Sequence, residues 1–151
     1  MARSLIAQCS NARHLVFLLV IGLIITAPHV AVGADDPESP TTISEFTLKD
    51  YRGTTHSLSD YEGQVVVIYF MGTECPLAKL YSGRIERFSR DYADKGVVVL
   101  GVNSNVQDSI AELFAHARDH DITFPLLKDL NCKVADQFGA TRTPEVFVLD
   151  K

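Results

Sequence analysis

The sequence predicts an α/β domain: a central sheet with helices on both faces. Two observations carry this. Residues 65–70 ("VVVIYF") form an unbroken apolar run and 97–103 ("VVVLGVN") a nearly unbroken one, both rich in β-branched residues, the pattern of strands buried on both faces. Between and after them, apolar residues recur every three or four positions, as on amphipathic helices. Alternation of strands and helices means a sheet covered by helices rather than separate layers of each.

The elements follow in order. "ISEFTLKDYRGTTHSLSDYEGQ" alternates at Phe46 and Leu48, turns at Gly53 and returns at Leu58, which predicts a small hairpin. After the first buried strand, Leu77, Leu80, Tyr81, Ile85, Phe88 and Tyr92 mark a helix from Pro76 to about Asp94. Pro76 suits its first turn, where a missing N–H costs little. Gly96 ends it, and the second buried strand follows. Residues 106–120 read as a second helix with Ile110, Leu113, Phe114 and Ala117 on one face. "FPLLKD" is a short strand, "CKVADQFGA" a short helix closed by Gly139, and "TPEVFVLDK" a last strand. Lys151 directly follows that core-like strand. An uncovered sheet edge is a liability, so the domain is expected to be C-terminally incomplete.

The 151 residues suit one domain, preceded by a leader. Arg3, Arg13 and His14 precede an apolar run over 15–26, and Val32 and Ala34 supply a small-x-small cleavage point. This describes a signal peptide over 1–34. The run is short for a membrane span, which needs about 20 residues, so no stable span is expected after cleavage. The mature chain is expected to be exported, periplasmic or extracellular. "DDPESPTT" (35–42) reads as a linker, leaving 43–151 as the folded domain. Beyond residue 34 stand 12 Lys/Arg against 19 Asp/Glu. An acidic domain without a basic cluster argues against nucleic-acid binding.

Cys9 lies in the leader, so the mature chain keeps Cys75 and Cys132. Outside the cytosol a surviving thiol usually has a job or a reductant. Cys75 sits where a buried strand ends and a helix begins. Ligands bind at that edge of α/β sheets, and a helix N-terminus favours thiolate over thiol. Thr73 is placed to offer its hydroxyl to the sulfur, while the Glu74 carboxylate opposes a second anion. Pro144 forces Thr143 into an extended conformation that can pair with an extended substrate beside the sulfur. Thr143, Pro76 and Glu74 are the expected substrate-side residues. Cys132, at the start of the third helix, is either a resolving cysteine or a helix-start residue with no role. His116 and His120 stand one helical turn apart, a spacing that can bind metal. No third ligand is clearly placed, so they read as a solvated helix face. No metal or cofactor is expected.

Together, "FTLKDYRGTTHSLSDYEGQVVVIYFMGTECP", "GVVVLGVNSN", "FPLLKD" and "FGATRTPEVFVLD" resemble the thioredoxin-like superfamily. They resemble most nearly redoxins of the alkyl-hydroperoxide-reductase/thiol-specific-antioxidant type. "TECPLA" with "GVNSNVQDS" is similar to an exported single-cysteine subgroup. The resemblance covers about residues 43–151. It implies a thioredoxin-like fold with a mixed sheet, stopping before the family's last strand and helix. It also implies that Cys75 is the attacking cysteine and Pro144 the cis proline. Thioredoxins carry a second cysteine where Ala78 stands. Peroxiredoxins carry a threonine where Gly72 stands, with Thr73 one step out of register. The expected activity is a thiol-dependent oxidoreductase, antioxidant or peroxiredoxin-like, in which Cys75 attacks a peroxide or disulfide. Its partner is an external thiol reductant or a disulfide protein. The alternative is a non-catalytic module that holds extended peptides at the Pro144 edge.

Overall fold

A computed structural model describes residues 42–150. The predicted signal segment lies outside the described residues, as does the linker apart from Thr42. The described chain forms β1 (Thr47–Asp50), β2 (Thr55–Ser57), a 3-10 turn (Leu58–Tyr61), β3 (Val65–Phe70), α1 (Pro76–Ala93) and β4 (Val97–Asn103). Then come α2 (Ile110–Asp119), β5 (Leu126–Lys128), α3 (Lys133–Phe138) and β6 (Glu145–Leu149). The helix α2 starts later than its apolar period suggests. Ser109 and Glu112 explain this by capping each other: the Ser109 hydroxyl accepts from the Glu112 N–H at 3.2 Å, and the Glu112 carboxylate accepts from the Ser109 N–H at 2.6 Å.

The six strands lie in the order β2-β1-β5-β4-β3-β6. β3, β4 and β5 run parallel, while β1 and β6 are antiparallel to their neighbours. Strand alternation divides the core. Val67, Tyr69, Met71, Val99 and Leu126 face α1 and α2. Val66, Ile68, Phe70, Leu100, Val102 and Leu127 face α3 and the N-terminal segment. Burying such aliphatic side chains stabilises the fold by about 1.5–3 kcal/mol each. On β6, Phe147 and Leu149 join the α3-side core, whereas Val146 and Val148 are exposed.

The helix faces differ from those the apolar spacing predicts. In α1, Leu77, Leu80, Tyr81 and Tyr92 are exposed, and the fully buried residues are Ala78, Ser82 and Glu86. Ile85 and Phe88 do pack on the core. The buried polar groups are satisfied, which makes their burial affordable. Ser82 Oγ donates to the Ala78 carbonyl at 2.8 Å. Glu86 accepts from the Thr123 N–H and hydroxyl, each at 2.8 Å. Burial pushes the Glu86 carboxyl up, but Thr123 and Arg90 outweigh it and hold it below the usual carboxylate range. In α2, Leu113 and Ala117 are buried while Ile110 and Phe114 stay exposed.

His116 is the clearest correction. It is not on a solvated face: it is only 5% exposed, with Nε2 2.9 Å from Ser82 Oγ. Because Ser82 directs its proton to Ala78, Nε2 carries the imidazole proton and donates to Ser82. Burial, aided by His120 and Lys79, lowers the His116 pKa to about 4.

Candidate active site

β3 delivers the chain to the carboxyl edge of the sheet, where residues 71–75 turn into α1. The Cys75 N–H donates to the Gly72 carbonyl at 3.2 Å, which tightens the turn. Cys75 is the N-cap of α1, with Pro76 in its first turn and the Lys79 N–H on the Cys75 carbonyl at 3.0 Å. The thiol is partly exposed and rests on the α1/α2-side core.

Thr143, 68 residues away, meets the sulfur. Cys75 Sγ lies 3.2 Å from the Thr143 carbonyl oxygen, to which the thiol donates. The Thr143–Pro144 peptide is cis. The carbonyl favours the protonated thiol, but the Thr143 hydroxyl favours the thiolate and is the largest influence. Burial opposes it, and the Ala78 and Leu77 N–H groups at the helix start reinforce it. Those two N–H groups act through proximity and dipole, since they make no capping hydrogen bond to the thiol. The net effect holds the Cys75 pKa below that of a free thiol. Tyr69 lies beneath, its hydroxyl donating to the Ala78 carbonyl at 3.1 Å. Burial and the nearby Cys75 push its pKa up to about 12, so Tyr69 stays protonated.

The other expected residues fall as follows. Thr73 is buried and makes no hydrogen bond to Cys75; the hydroxyl that acts on the sulfur belongs to Thr143. Glu74 is exposed and paired with Lys79 at 3.1 Å, so its charge is offset by an adjacent cation. Pro76 is exposed beside the thiol. Cys132 is the N-cap of α3 with φ 55°, and its thiol donates to the Ser104 carbonyl at 3.3 Å. It packs against the α3-side core, whereas Cys75 packs on the opposite side of the sheet. A cavity of about 440 Å³ is lined by Cys132, Ser104, Asn105, Arg142 and Thr143, but not by Cys75. No group of three or more metal-binding side chains occurs among the described residues.

A polar cluster behind the turn escaped the sequence reading. Asp108, from the loop before α2, is buried. Its Oδ2 accepts from the Thr73 N–H at 2.8 Å, from Asn103 Nδ2 at 2.6 Å and from Asn105 Nδ2 at 3.3 Å. Asn103 Nδ2 also reaches the Met71 carbonyl at 3.1 Å. Lys128 Nζ completes the cluster by donating to Asn103 Oδ1 at 2.6 Å and to the Asn105 carbonyl at 2.5 Å. The available signal was "NSNVQD", four amide or acid residues starting at the end of a buried strand.

A thiol at a helix start, facing a cis Thr-Pro from a neighbouring strand, defines the site. The AhpC/TSA family model matches residues 41–151. The chain belongs to the AhpC/TSA family. The redoxin is 31% identical over 122 residues to the thiol-disulfide oxidoreductase ResA of Geobacillus thermodenitrificans, covering 81% of this chain and 65% of that protein. It is 33% identical over 114 residues to chloroplastic peroxiredoxin Q of Triticum aestivum, covering 70% and 51%. The redoxin thus spans less than two thirds of the length of these curated relatives. Among solved structures, a hypothetical protein of Sinorhizobium meliloti superposes with a TM-score of 0.69 at 28% identity, covering 73% of this chain and 63% of that one. A secreted disulfide oxidoreductase of Mycobacterium tuberculosis shares the fold, with a TM-score of 0.62 at 14% identity over 68% and 74% of the two chains. The fold is thioredoxin-like, as the resemblance implied.

Proposed function

We propose that the redoxin is an exported thiol-dependent oxidoreductase in which Cys75 exchanges with a disulfide. One observation carries this: Cys75 Sγ stands at the α1 N-terminus, 3.2 Å from the Thr143 carbonyl, with its pKa held low chiefly by the Thr143 hydroxyl. The Cys75 thiolate attacks one sulfur of a substrate disulfide. A Cys75–substrate disulfide forms, and the other substrate sulfur leaves as thiolate. A second thiol must then attack the mixed disulfide. Ala78 is fully buried at the position of a second motif cysteine, and Cys132 packs on the other side of the sheet. The resolving thiol therefore comes from an external reductant. Thr143 and Pro144 form the substrate edge, Pro76 and Glu74 its exposed rim, and Thr73 serves through its backbone.

The likeness to peroxiredoxin Q supports a second substrate, a peroxide. There the thiolate takes one peroxide oxygen to become a sulfenic acid. The other oxygen leaves as hydroxide or alkoxide and is protonated to water or an alcohol. The external dithiol then condenses with the sulfenic acid, releasing water, and frees Cys75 as a thiol. The test is turnover of a small-molecule disulfide and of hydrogen peroxide by the full chain with a dithiol reductant. Cys75→Ser is expected to abolish both, and Cys132→Ser to spare most of the rate. Undiminished turnover in Cys75→Ser would overturn the mechanism, whereas no turnover by the parent, with Cys75 titrating like a free thiol, would favour a non-catalytic module that holds peptides at the Pro144 edge.

A further inference from the structure

We propose that Asp108 is the positioning residue of the Cys75 site: one buried carboxylate oxygen fixes the turn that carries the thiol and the amide packed against that turn. This rests on the reading of Cys75 as the reactive thiol.

The carboxylate joins two segments that the chain itself leaves apart. From the thiol turn, the Thr73 N–H points at Oδ2. From the end of β4 and the loop that follows it, the Asn103 and Asn105 amides point at the same oxygen. The Asp108 N–H meanwhile bonds back to the Asn105 carbonyl at 3.2 Å, so the loop is closed on itself. Asn103 also holds the Met71 carbonyl. Residues 71 and 73 are thus pinned four and two positions before the sulfur.

Gly72 lies between those anchor points. A Cβ there would stand 2.4 Å from Asn105 Nδ2 and 3.5 Å from Thr143 Oγ1. The Asn105 amide therefore fills the space beside Gly72, next to the hydroxyl that favours the Cys75 thiolate. Asp108 sets that amide through Nδ2, and Lys128 holds the same residue through its carbonyl. Asn105 and Thr143 both line the 440 Å³ cavity, so this amide borders the same open space as the residue that touches the thiol.

The charges explain why an acid suits the position. Burial raises the Asp108 pKa, but the donors from Thr73, Asn103 and Asn105 outweigh it and keep the carboxyl ionised. The Thr73 hydroxyl is close enough to favour that ionised form, yet it makes no well-aligned hydrogen bond. Lys128 balances the charge through Asn103, whose oxygen faces the ammonium and whose amide nitrogen faces the carboxylate. Removing the acceptor would leave the buried Thr73 N–H unpaired, the costly outcome for such a group, and would free the Asn105 amide and leave Asn103 Nδ2 held only by Met71.

The experiment measures iodoacetamide alkylation of Cys75 against pH, read on the Cys75 peptide of the full chain by mass spectrometry. Asp108→Asn keeps one oxygen able to take the place of Oδ2 but loses the charge; Asp108→Ala loses both. With positioning, Asp108→Ala slows alkylation at pH 7 about tenfold and raises the Cys75 pKa, because a tenfold fall in thiolate corresponds to one unit, while Asp108→Asn stays within about threefold of the parent. If Asp108 acted only as a nearby negative charge, both variants would react faster than the parent. If it only supported the fold, both would lose stability while the folded protein titrated like the parent. Either result overturns the proposal. Should Asp108→Ala not fold, Asn105→Ala removes only the amide beside Gly72. It is expected to slow alkylation in the same direction, and a parental rate there counts against the proposal. Alkylation reads the thiol without turnover, so a redoxin that fails to turn over disulfides sinks the proposed function while this series still decides the role of Asp108.

Discussion

Acidifying the redoxin from pH 7 to pH 5 should destabilise it through His116. The imidazole is 5% exposed and titrates at about 4 in the fold, against about 6.5 in an unfolded chain. A histidine whose folded pKa is depressed takes up its proton first in the unfolded state. Its stabilising effect is therefore complete above 6.5 and is lost as pH falls from 6.5 towards 4. Each unit costs about 1.4 kcal/mol per proton, so the loss is about 2 kcal/mol by pH 5 and about 3 kcal/mol by pH 4. That is a large share of a typical domain stability of about 5–15 kcal/mol. The assay is urea unfolding at pH 7, 6 and 5 for the parent and His116→Gln, whose amide can still meet Ser82 but does not titrate. Glu86 and Asp108, with depressed folded pKa values, lose their contribution as pH falls lower still. They do so in both proteins and cancel from the difference. The parent should lose about 2 kcal/mol more than the variant between pH 7 and pH 5. Parallel pH profiles would show that His116 is not buried neutral, and the account of the α1–α2 contact would fail.

Two further outcomes follow from close contacts. Thr143→Val removes the hydroxyl that favours the Cys75 thiolate while keeping the carbonyl, so the Cys75 pKa should rise and alkylation at pH 7 should slow; an unchanged titration curve would remove Thr143 from the site's electrostatics. Gly101→Ala would place a Cβ 2.4 Å from Leu126 Cδ2 and 3.2 Å from the Phe124 ring, and overpacking of that kind costs about 1–3 kcal/mol, which urea unfolding would detect.

Much of the frame was legible in the sequence. Val65–Phe70 and Val97–Asn103 read as buried strands, because a short run dominated by apolar, β-branched residues has no polar face to give to water. The junction at Cys75 followed from a strand ending and a proline starting a helix, both local properties of the chain. The thioredoxin-like arrangement rested on motifs spread across the domain. The burial of α1 was not legible, because its apolar residues outnumber the positions that touch the sheet. Ser82 and Glu86 take two of those positions, where His116 and Thr123, 34 and 37 residues away, add hydrogen-bond partners to the local ones from Ala78 and Arg90.

The sequence by itself determined where strands and helices alternate and which cysteine stands at a helix start. Periodicity and turn chemistry act over a few residues and need no partner. Tertiary structure alone decided that Thr143 supplies the hydroxyl expected of Thr73, that Cys132 packs on the far side of the sheet, and that Asp108 gathers the thiol turn. Each of these depends on a contact between segments distant in the chain. Only the folded sheet, which brings the ends of β3, β4 and β5 side by side, sets the distances at which such contacts act.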